Sequence, residues 1–262
     1  MKRIIVCLKQ AVDVSQLKVD PATRQLITAG APKKISDFDK NALEEAIKIK
    51  EKLVGVEIFT LTVDSEDAKA VLREALAMGA DRAYFVNDPA VQTADTLGTA
   101  HILAQAVRKI GEFDLIVGGD ASLDSFSGLV GSRLSELLSL PQMSSVRKLS
   151  VDGDSIVGER ALEDSSETVK AKMPAVVTVT REVNQPRIPS LMMIMKASKK
   201  EIVKWTLADI GVQKEQITSK IEVLEVLAPK MDRKKIVIKG ETVQEMAEKL
   251  AKALIQEGVI GR

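Results

Sequence analysis

Among 262 residues there is one cysteine, Cys7, one histidine, His101, one tryptophan and one tyrosine. A lone cysteine excludes an internal disulfide and any cysteine-rich zinc site. It leaves a single possible Cys/His pairing, and the spacing of Cys7 and His101 gives no support for a nucleophilic dyad. Aromatic residues make up only 3%, and 38 basic against 37 acidic residues leave a net charge of +1. Nucleic acid needs a basic stripe and stacking platforms, and both are missing. No apolar run is as long as a bilayer is thick. The opening MKRIIVCLKQ carries too short an apolar stretch for a secretory signal. These absences lead to the expectation of a cytoplasmic protein with no nucleic-acid partner and no membrane insertion.

What is present is an ordinary globular mixture, 45% hydrophobic and 29% charged. The length suits one large α/β domain, or one domain with an extension. The first half alternates strand and helix patterns. Short apolar runs rich in β-branched residues, RIIVCL (3–8), VEIFTLTV (56–63), RAYFVND (82–88) and FDLIVGGD (113–120), read as buried parallel strands. Between them DKNALEEAIKIKEKL (39–53), SEDAKAVLREALAMGA (65–80) and TADTLGTAHILAQAVRKIG (93–111) read as helices, and SFSGLVGSRLSELL (125–138) as a fourth. Ser36, Asp37 and Asp39 stand where they could cap the first of these, and Ser65 the second. QLKVDPATRQLITAG reads as a small hairpin turning at Asp20-Pro21.

The rhythm predicts a mostly parallel, doubly wound α/β sheet, with ligands at the strands' carboxyl edge. Residues 144–180 alternate apolar and polar around an Asp152-Gly153 turn, which predicts antiparallel strands extending that sheet. The domain then spans 1–182. Residues 183–240 read as an arm without a core of its own, which needs a surface to lie on, and 241–262 as an amphipathic C-terminal helix. Thr242 and Glu245 have capping-box spacing there, and Val243, Met246, Leu250 and Leu254 form one stripe.

The segment with most chemical content is DLIVGGDASLDSFSGLVGS (114–132). It leads from a buried strand through a glycine-rich turn into a helix start, where bare backbone amides can receive a phosphate. Ser125, Ser127 and Ser132 add hydroxyl donors, and Asp124 can cap the helix or accept from a ribose hydroxyl. A tight turn with glycines for packing accounts for the same residues. The string matches neither GxGxxG nor the Walker pattern. It is close to the SGGxDS loop of ATP pyrophosphatases, but that loop follows a first strand and this one a fourth. His101 reads as a structural histidine, Glu163-Asp164 as a solvated bend, Lys199-Lys200 as a wetted face, and Tyr84 and Trp205 as isolated. The residues alone describe a nucleotide binder without acid–base machinery. They leave unexplained VNQPRIPSLMMIMKASKKEI (183–202), an apolar run between prolines and lysines.

Four stretches in order resemble the β subunits of electron transfer flavoproteins, the family that includes the FixA proteins. They are VCLKQAVDVSQLKVDPATRQL with DFDKNALEEAIKIKE, REALAMGADRAYFV, ERALEDSSETVKAKMPAVVTV, and the proline-bracketed run, which resembles NxPRxPSLxxIMKAxKK. The resemblance implies an adenine-nucleotide α-hydrolase-like sheet and an obligate heterodimer with an α subunit. That α subunit carries FAD in a pocket to which β contributes. It also implies AMP or a second FAD in the β subunit. By position that nucleotide would meet Cys7, Ser36, Asp37, Phe38, Asp39 and Val63. In the turn it would meet Gly118, Gly119, Asp120, Ala121, Asp124, Ser125, Phe126, Ser127, Gly128, Val130, Gly131 and Ser132. The proline-bracketed run becomes a loop that docks on flavoprotein dehydrogenases. Leu191 is its anchor, with Ile188, Pro189, Met192, Met195 and Lys196 around it.

The implied function is to accept electrons from dehydrogenases of the acyl-CoA dehydrogenase type, as in fatty acid β-oxidation. They would pass to a quinone reductase or another acceptor, with bifurcation in some members. Bifurcating members carry a run like DGDTAQVG. Here DSFSGLVG keeps Asp124, Val130 and Gly131 but has Phe126 and Gly128 in place of Asp and Ala, which leaves AMP and FAD both open. The competing class is a nucleotide-binding regulatory module of the universal-stress-protein kind, and a third is an ATP-consuming enzyme.

Overall fold

The computed structural model describes residues 1–230 and 234–260. The chain divides into two units, one of Met1–Lys18 and Leu26–Val226, the other of Val19–Gln25 and the chain from Leu227 onward.

The first unit is built on a nine-stranded sheet. Its strands are β1 (Arg3–Cys7), β2 (Glu57–Val63), β3 (Arg82–Val86), β4 (Leu115–Gly119), β5 (Gln142–Asp152), β6 (Ser155–Ala161), β7 (Ser166–Lys172), β8 (Ala175–Val179) and β9 (Ile202–Trp205). Their spatial order is β7-β6-β5-β8-β4-β1-β2-β3-β9. Pairing is parallel from β5 through β9, and antiparallel only where β6 meets β5 and β7. The expected α/β class and its antiparallel extension are both present.

One strand differs from its expected role. Residues 175–179 were read within the antiparallel set, yet β8 lies inside the sheet and pairs in parallel with both β4 and β5. AVVTV is buried at every position. A strand covered on both faces has no polar alternation to display.

Helices cover both faces. They are α1 (Asp37–Lys52), α2 (Lys69–Met78), α3 (Thr96–Ile110), α4 (Val130–Leu138), α5 (Leu191–Ala197) and α6 (Lys214–Ile217). Strand alternation divides the core. Ile4 and Val6 of β1 pack with Leu43, Ile47, Leu72 and Leu76 of α1 and α2. Ile5 packs on the opposite face with Ile102, Leu103, Val107 and Leu134 of α3 and α4. Each such fully buried aliphatic side chain contributes roughly 1.5–3 kcal/mol of transfer free energy.

Two helix starts move from their expected places. A 3-10 helix, Glu66–Ala68, precedes α2, and the side chain of its N-cap Ser65 makes no capping hydrogen bond. Helix α4 begins at Val130 rather than near Ser125, because Phe126 and Gly128 hold φ of 47° and 63°. That left-handed backbone cannot be part of an α-helix.

β9 falls within the residues read as an arm. It joins the edge beside β3, where Tyr84 and Trp205 stack with ring centroids 4.9 Å apart, so neither aromatic is isolated.

In the second unit the Asp20-Pro21 turn is closed by Asp20 N donating to Gln25 O (2.9 Å) and Arg24 N to Asp20 O (2.8 Å). Helix α7 (Val243–Gln256) starts at Thr242, whose hydroxyl accepts from Glu245 N. No residue of α7 is buried, and Val243 and Leu250 of its apolar stripe are exposed.

Gly131 explains how α4 reaches the sheet. A Cβ there would stand 2.3 Å from Thr178 Cγ2 of β8. Gly131→Ala is therefore expected to lower stability by roughly 1–3 kcal/mol, the cost of overpacking. Adding Thr178→Ser removes the opposing methyl and should restore most of that loss. Urea unfolding of both variants and of the double variant checks the pair.

Candidate nucleotide site and docking face

The chain steps from β1 to β2 to β3 on one side, then crosses to the other side of β1 for β4. The crevice between the carboxyl ends of β1 and β4 is thus the topological switch point, where open α/β sheets bind ligands. A cavity of about 420 Å³ lies there.

Most of the expected residues converge on it. Cys7, Asp39, Val63, Gly118, Gly119, Asp120, Ala121, Ser125, Ser127, Gly128, Val130 and Gly131 all line it. The others stand apart. Ser36 lies buried at the start of α1, its hydroxyl without a partner among the described residues. Asp37 turns to Lys34 (2.9 Å), and Phe38 packs edge-on against Phe126, centroids 6.1 Å apart. Ser132 Oγ accepts from Gln142 Nε2 (2.8 Å). Asp124 sits at the rim, where its Oδ1 accepts from Lys9 Nζ (2.7 Å) and Ser122 Oγ (2.6 Å). Against the cost of partial burial, these hydrogen bonds hold the Asp124 carboxyl below its usual range.

Sequence reasoning missed Lys9, Ser122, Asp95, Thr96 and Thr178, which also line the cavity. Lys9 directly follows an apolar strand run and reads as a solvated end. Asp95 had a local signal, since an Asp before a helical run is a cap. Its Oδ1 accepts from Leu97 N (2.8 Å) and Gly98 N (2.9 Å) at the start of α3.

Three features of the lining bear on chemistry. First, the amides of Val130 and Gly131, which open α4 at the cavity wall, have no acceptor among the described residues. They are the orphan donors of a first helical turn, and they suit an anion. Secondly, Asp120 is a brace. Its Oδ1 accepts from Thr178 Oγ1 (2.6 Å) and Ser145 N (3.0 Å), and its Oδ2 from Ser145 Oγ (3.2 Å).

Thirdly, Asp39 does not cap its own helix. Its Oδ2 accepts from Lys9 N (2.7 Å) beyond β1, and its Oδ1 from Gly119 N (2.8 Å) at the end of β4. Burial pushes this carboxyl up to about 7, outweighing those amides and the Lys9 charge, with Asp124 adding to the rise. Burial, and then Asp39, push the Cys7 thiol up to about 12. A thiol that stays protonated is neither nucleophile nor metal ligand.

The residues expected to dock on a partner lie elsewhere on the same unit. Ile188, Leu191, Met192 and Met195 are 65–91% exposed. Lys196 is exposed too, and Pro189 half-buried. Polar clamps hold the segment beneath them. Arg187 Nε donates to Glu44 Oε2 (2.8 Å) and Nη1 to Glu51 Oε1 (2.6 Å). Asn184 and Asn41 exchange hydrogen bonds between side-chain amide and main-chain carbonyl, at 3.0 and 2.7 Å. Arg73 donates to the carbonyls of Ala197 (2.9 Å) and Lys200 (2.7 Å) after α5. Lys200 Nζ donates to Ala80 O (2.5 Å) at the end of α2, so this lysine is a structural tie and not a wetted face.

The electron transfer flavoprotein domain matches residues 23–210. The electron transfer flavoprotein subunit beta of Thermoanaerobacterium thermosaccharolyticum is 39% identical over 254 residues, 94% of this chain and 97% of that one. The subunit of the same name from Clostridium acetobutylicum is 36% identical over 254 residues, 97% and 96% of the two chains. The caffeyl-CoA reductase-Etf complex subunit CarD of Acetobacterium woodii is 34% identical over 261 residues, 98% and 100% of the two chains.

Asp39 generates a pH test. The native state keeps its proton up to about pH 7, whereas an unfolded aspartate releases it near about 3.9. Its contribution is therefore fully present below the unfolded value and is lost as pH rises through about 7. Asp39→Asn should remove this slope, changing the wild-type-minus-variant difference by roughly 3 kcal/mol between pH 4 and pH 7. Urea midpoints across that range measure it, and parallel curves would contradict the assignment.

Proposed function

The chain belongs to the β-subunit family of electron transfer flavoproteins, and from that premise we propose that it is half of a heterodimeric electron carrier in the cytoplasm. The α subunit would carry the electron-transferring FAD, with this chain completing its pocket, and the switch-point cavity would hold an adenine nucleotide. The observation that carries the second part is the cavity itself. Its volume of about 420 Å³ lies within the roughly 300–1,000 Å³ of small-molecule sites. One wall offers two unpartnered amides, those of Val130 and Gly131, to a phosphate. Gly118 and Gly128 leave backbone bare at its edge, with nothing nearer than 3.9 and 3.7 Å to a Cβ built there. The residues fit an adenylate, as AMP or as the adenylate half of a second FAD whose flavin extends beyond the cavity. A flavin bound there supplies reversible redox chemistry; this chain's own groups orient it and offer it no competing nucleophile.

Electrons would arrive from flavoprotein dehydrogenases of the acyl-CoA dehydrogenase type, as in fatty acid β-oxidation. A relative named for a caffeyl-CoA reductase complex supports a partner acting on CoA thioesters. They would leave to a quinone reductase or another acceptor, and bifurcation would require a second FAD in the cavity. The exposed Leu191 is the natural dehydrogenase anchor. One leucine entering a pocket gives a contact of roughly 1.5–3 kcal/mol, strong enough to orient a partner and weak enough to release it. Methionines beside it suit a surface that meets several partners.

Two experiments test this reading. Co-purified with its α subunit and denatured, the heterodimer should release either two FAD or one FAD and one AMP, identified by chromatography. No second nucleotide would remove the cavity from the mechanism. Leu191→Ala should slow reduction by a dehydrogenase about tenfold or more, the equivalent of 1.5 kcal/mol or more, with flavin content unchanged. Unaltered kinetics would refute the anchor.

A further inference from the structure

Lys9 is committed in two directions. Its main-chain amide is fixed by Asp39, while its ammonium reaches the rim to Asp124 Oδ1 (2.7 Å), Ser122 Oγ (3.3 Å) and Ser125 Oγ (3.4 Å). Among the described residues that line the cavity it is the only lysine or arginine. The other ionisable ones are Cys7, Asp39, Asp64, Asp95 and Asp120. An anion entering this space would face four carboxyl groups and one cation, and that cation is already paired.

The pairing is weakly held. The Lys9 and Asp124 side chains are 45% and 23% exposed, and such ion pairs contribute about 0–1 kcal/mol. The Asp124 oxygen nevertheless occupies a well-formed oxyanion position, accepting from the ammonium and from Ser122 Oγ, with Ser125 Oγ 2.9 Å from Ser122 Oγ. A phosphate oxygen accepts from the same donors, and a phosphate carries more charge than a carboxylate. The turn that presents Asp124 contains left-handed residues at Phe126 and Gly128. It leads directly into the two unpartnered amides of Val130 and Gly131. Lysine suits such a change of partner, since its ammonium is a point charge on a flexible stem.

Resting on the adenylate reading, we propose that Lys9 is a phosphate-binding residue whose partner Asp124 is a placeholder. In the structure described here the carboxylate takes the ammonium; on nucleotide binding the phosphate displaces it, and the turn of residues 121–128 rearranges. Lys9 thereby makes the cavity prefer a phosphorylated ligand over the bare nucleoside.

The test uses the full chain co-purified with its α subunit, freed of nucleotide and titrated calorimetrically with AMP and with adenosine. Wild type should bind AMP more tightly than adenosine. Lys9→Met should lose roughly 10- to 100-fold in AMP affinity, the value of a charge-assisted hydrogen bond, while adenosine affinity is unchanged. Lys9→Arg should recover part of the loss. Asp124→Asn, which frees the ammonium, should bind AMP as tightly as wild type or up to severalfold more tightly.

Undiminished AMP affinity in Lys9→Met overturns the assignment and leaves the adenylate cavity standing. Equal losses for AMP and adenosine overturn it in favour of a structural role. Weaker AMP binding in Asp124→Asn overturns the exchange. Wild type that binds neither ligand overturns the adenylate reading itself.

Discussion

One buried carboxylate fixes the geometry on which the site depends. Where β1 and β4 end side by side, the amides of Lys9, two residues beyond β1, and of Gly119, the last residue of β4, need acceptors. A buried amide without an acceptor is destabilising. Asp39 meets both from the first turn of α1, so strand ends and helix start become one rigid corner. This requires glycine at 119, since a Cβ would come within 2.6 Å of Asp39 Oδ1 and Phe38 Cβ. Asp120, the next residue, repeats the device on the other side by tying the end of β4 to Thr178 and Ser145. With both walls braced by the protein's own donors, the amides of the α4 start are left for a ligand.

The docking face follows the opposite logic. A loop that exposes five large apolar side chains gains little from burial, so its conformation must come from polar contacts made behind them. Arg187, Asn184, Arg73 and Lys200 supply these, and three of the four bond main-chain carbonyls. Arg187 is set in a two-carboxylate fork on Glu44 and Glu51, which lowers the Glu51 carboxyl from its ordinary range. The apolar tips are thus free for a partner while the backbone stays ordered, which lowers the entropy lost on association.

The sheet was largely legible from sequence because buried parallel strands leave short β-branched runs, and the family resemblance directed attention to the turn and the loop. What stayed hidden has physical reasons. AVVTV shows no alternation, so its place between β4 and β5 depended on partners far away in the chain. The start of α4 was misplaced because serine and glycine carry no periodicity, and two left-handed residues were invisible in the letters. Asp39 looked like a helix cap by position, yet its oxygens point to amides 30 and 80 residues away. Lys9 looked like the wet end of a strand. For Asp39 and Lys9 the long-range hydrogen-bond partner decided the role.

Residues 183–226 belong structurally to the first unit, and this bears on how the chain's two roles could be separated. A cut near Thr180 removes the arm that the subunit reading needs and the regulatory-module reading does not. The cut would also remove β9, baring the β3 edge and the Tyr84 ring, and the Lys200 tie to α2. Instability after that cut would therefore arise in either kind of protein. The informative boundary lies later, near residue 227, where the second unit resumes and α7 carries an apolar stripe with no buried residue. A helix with that pattern and no covered face is only marginally stable alone in water. Among the described α-helices, α7 is the one with no buried residue, whereas the residues lining the switch-point cavity all belong to the first unit.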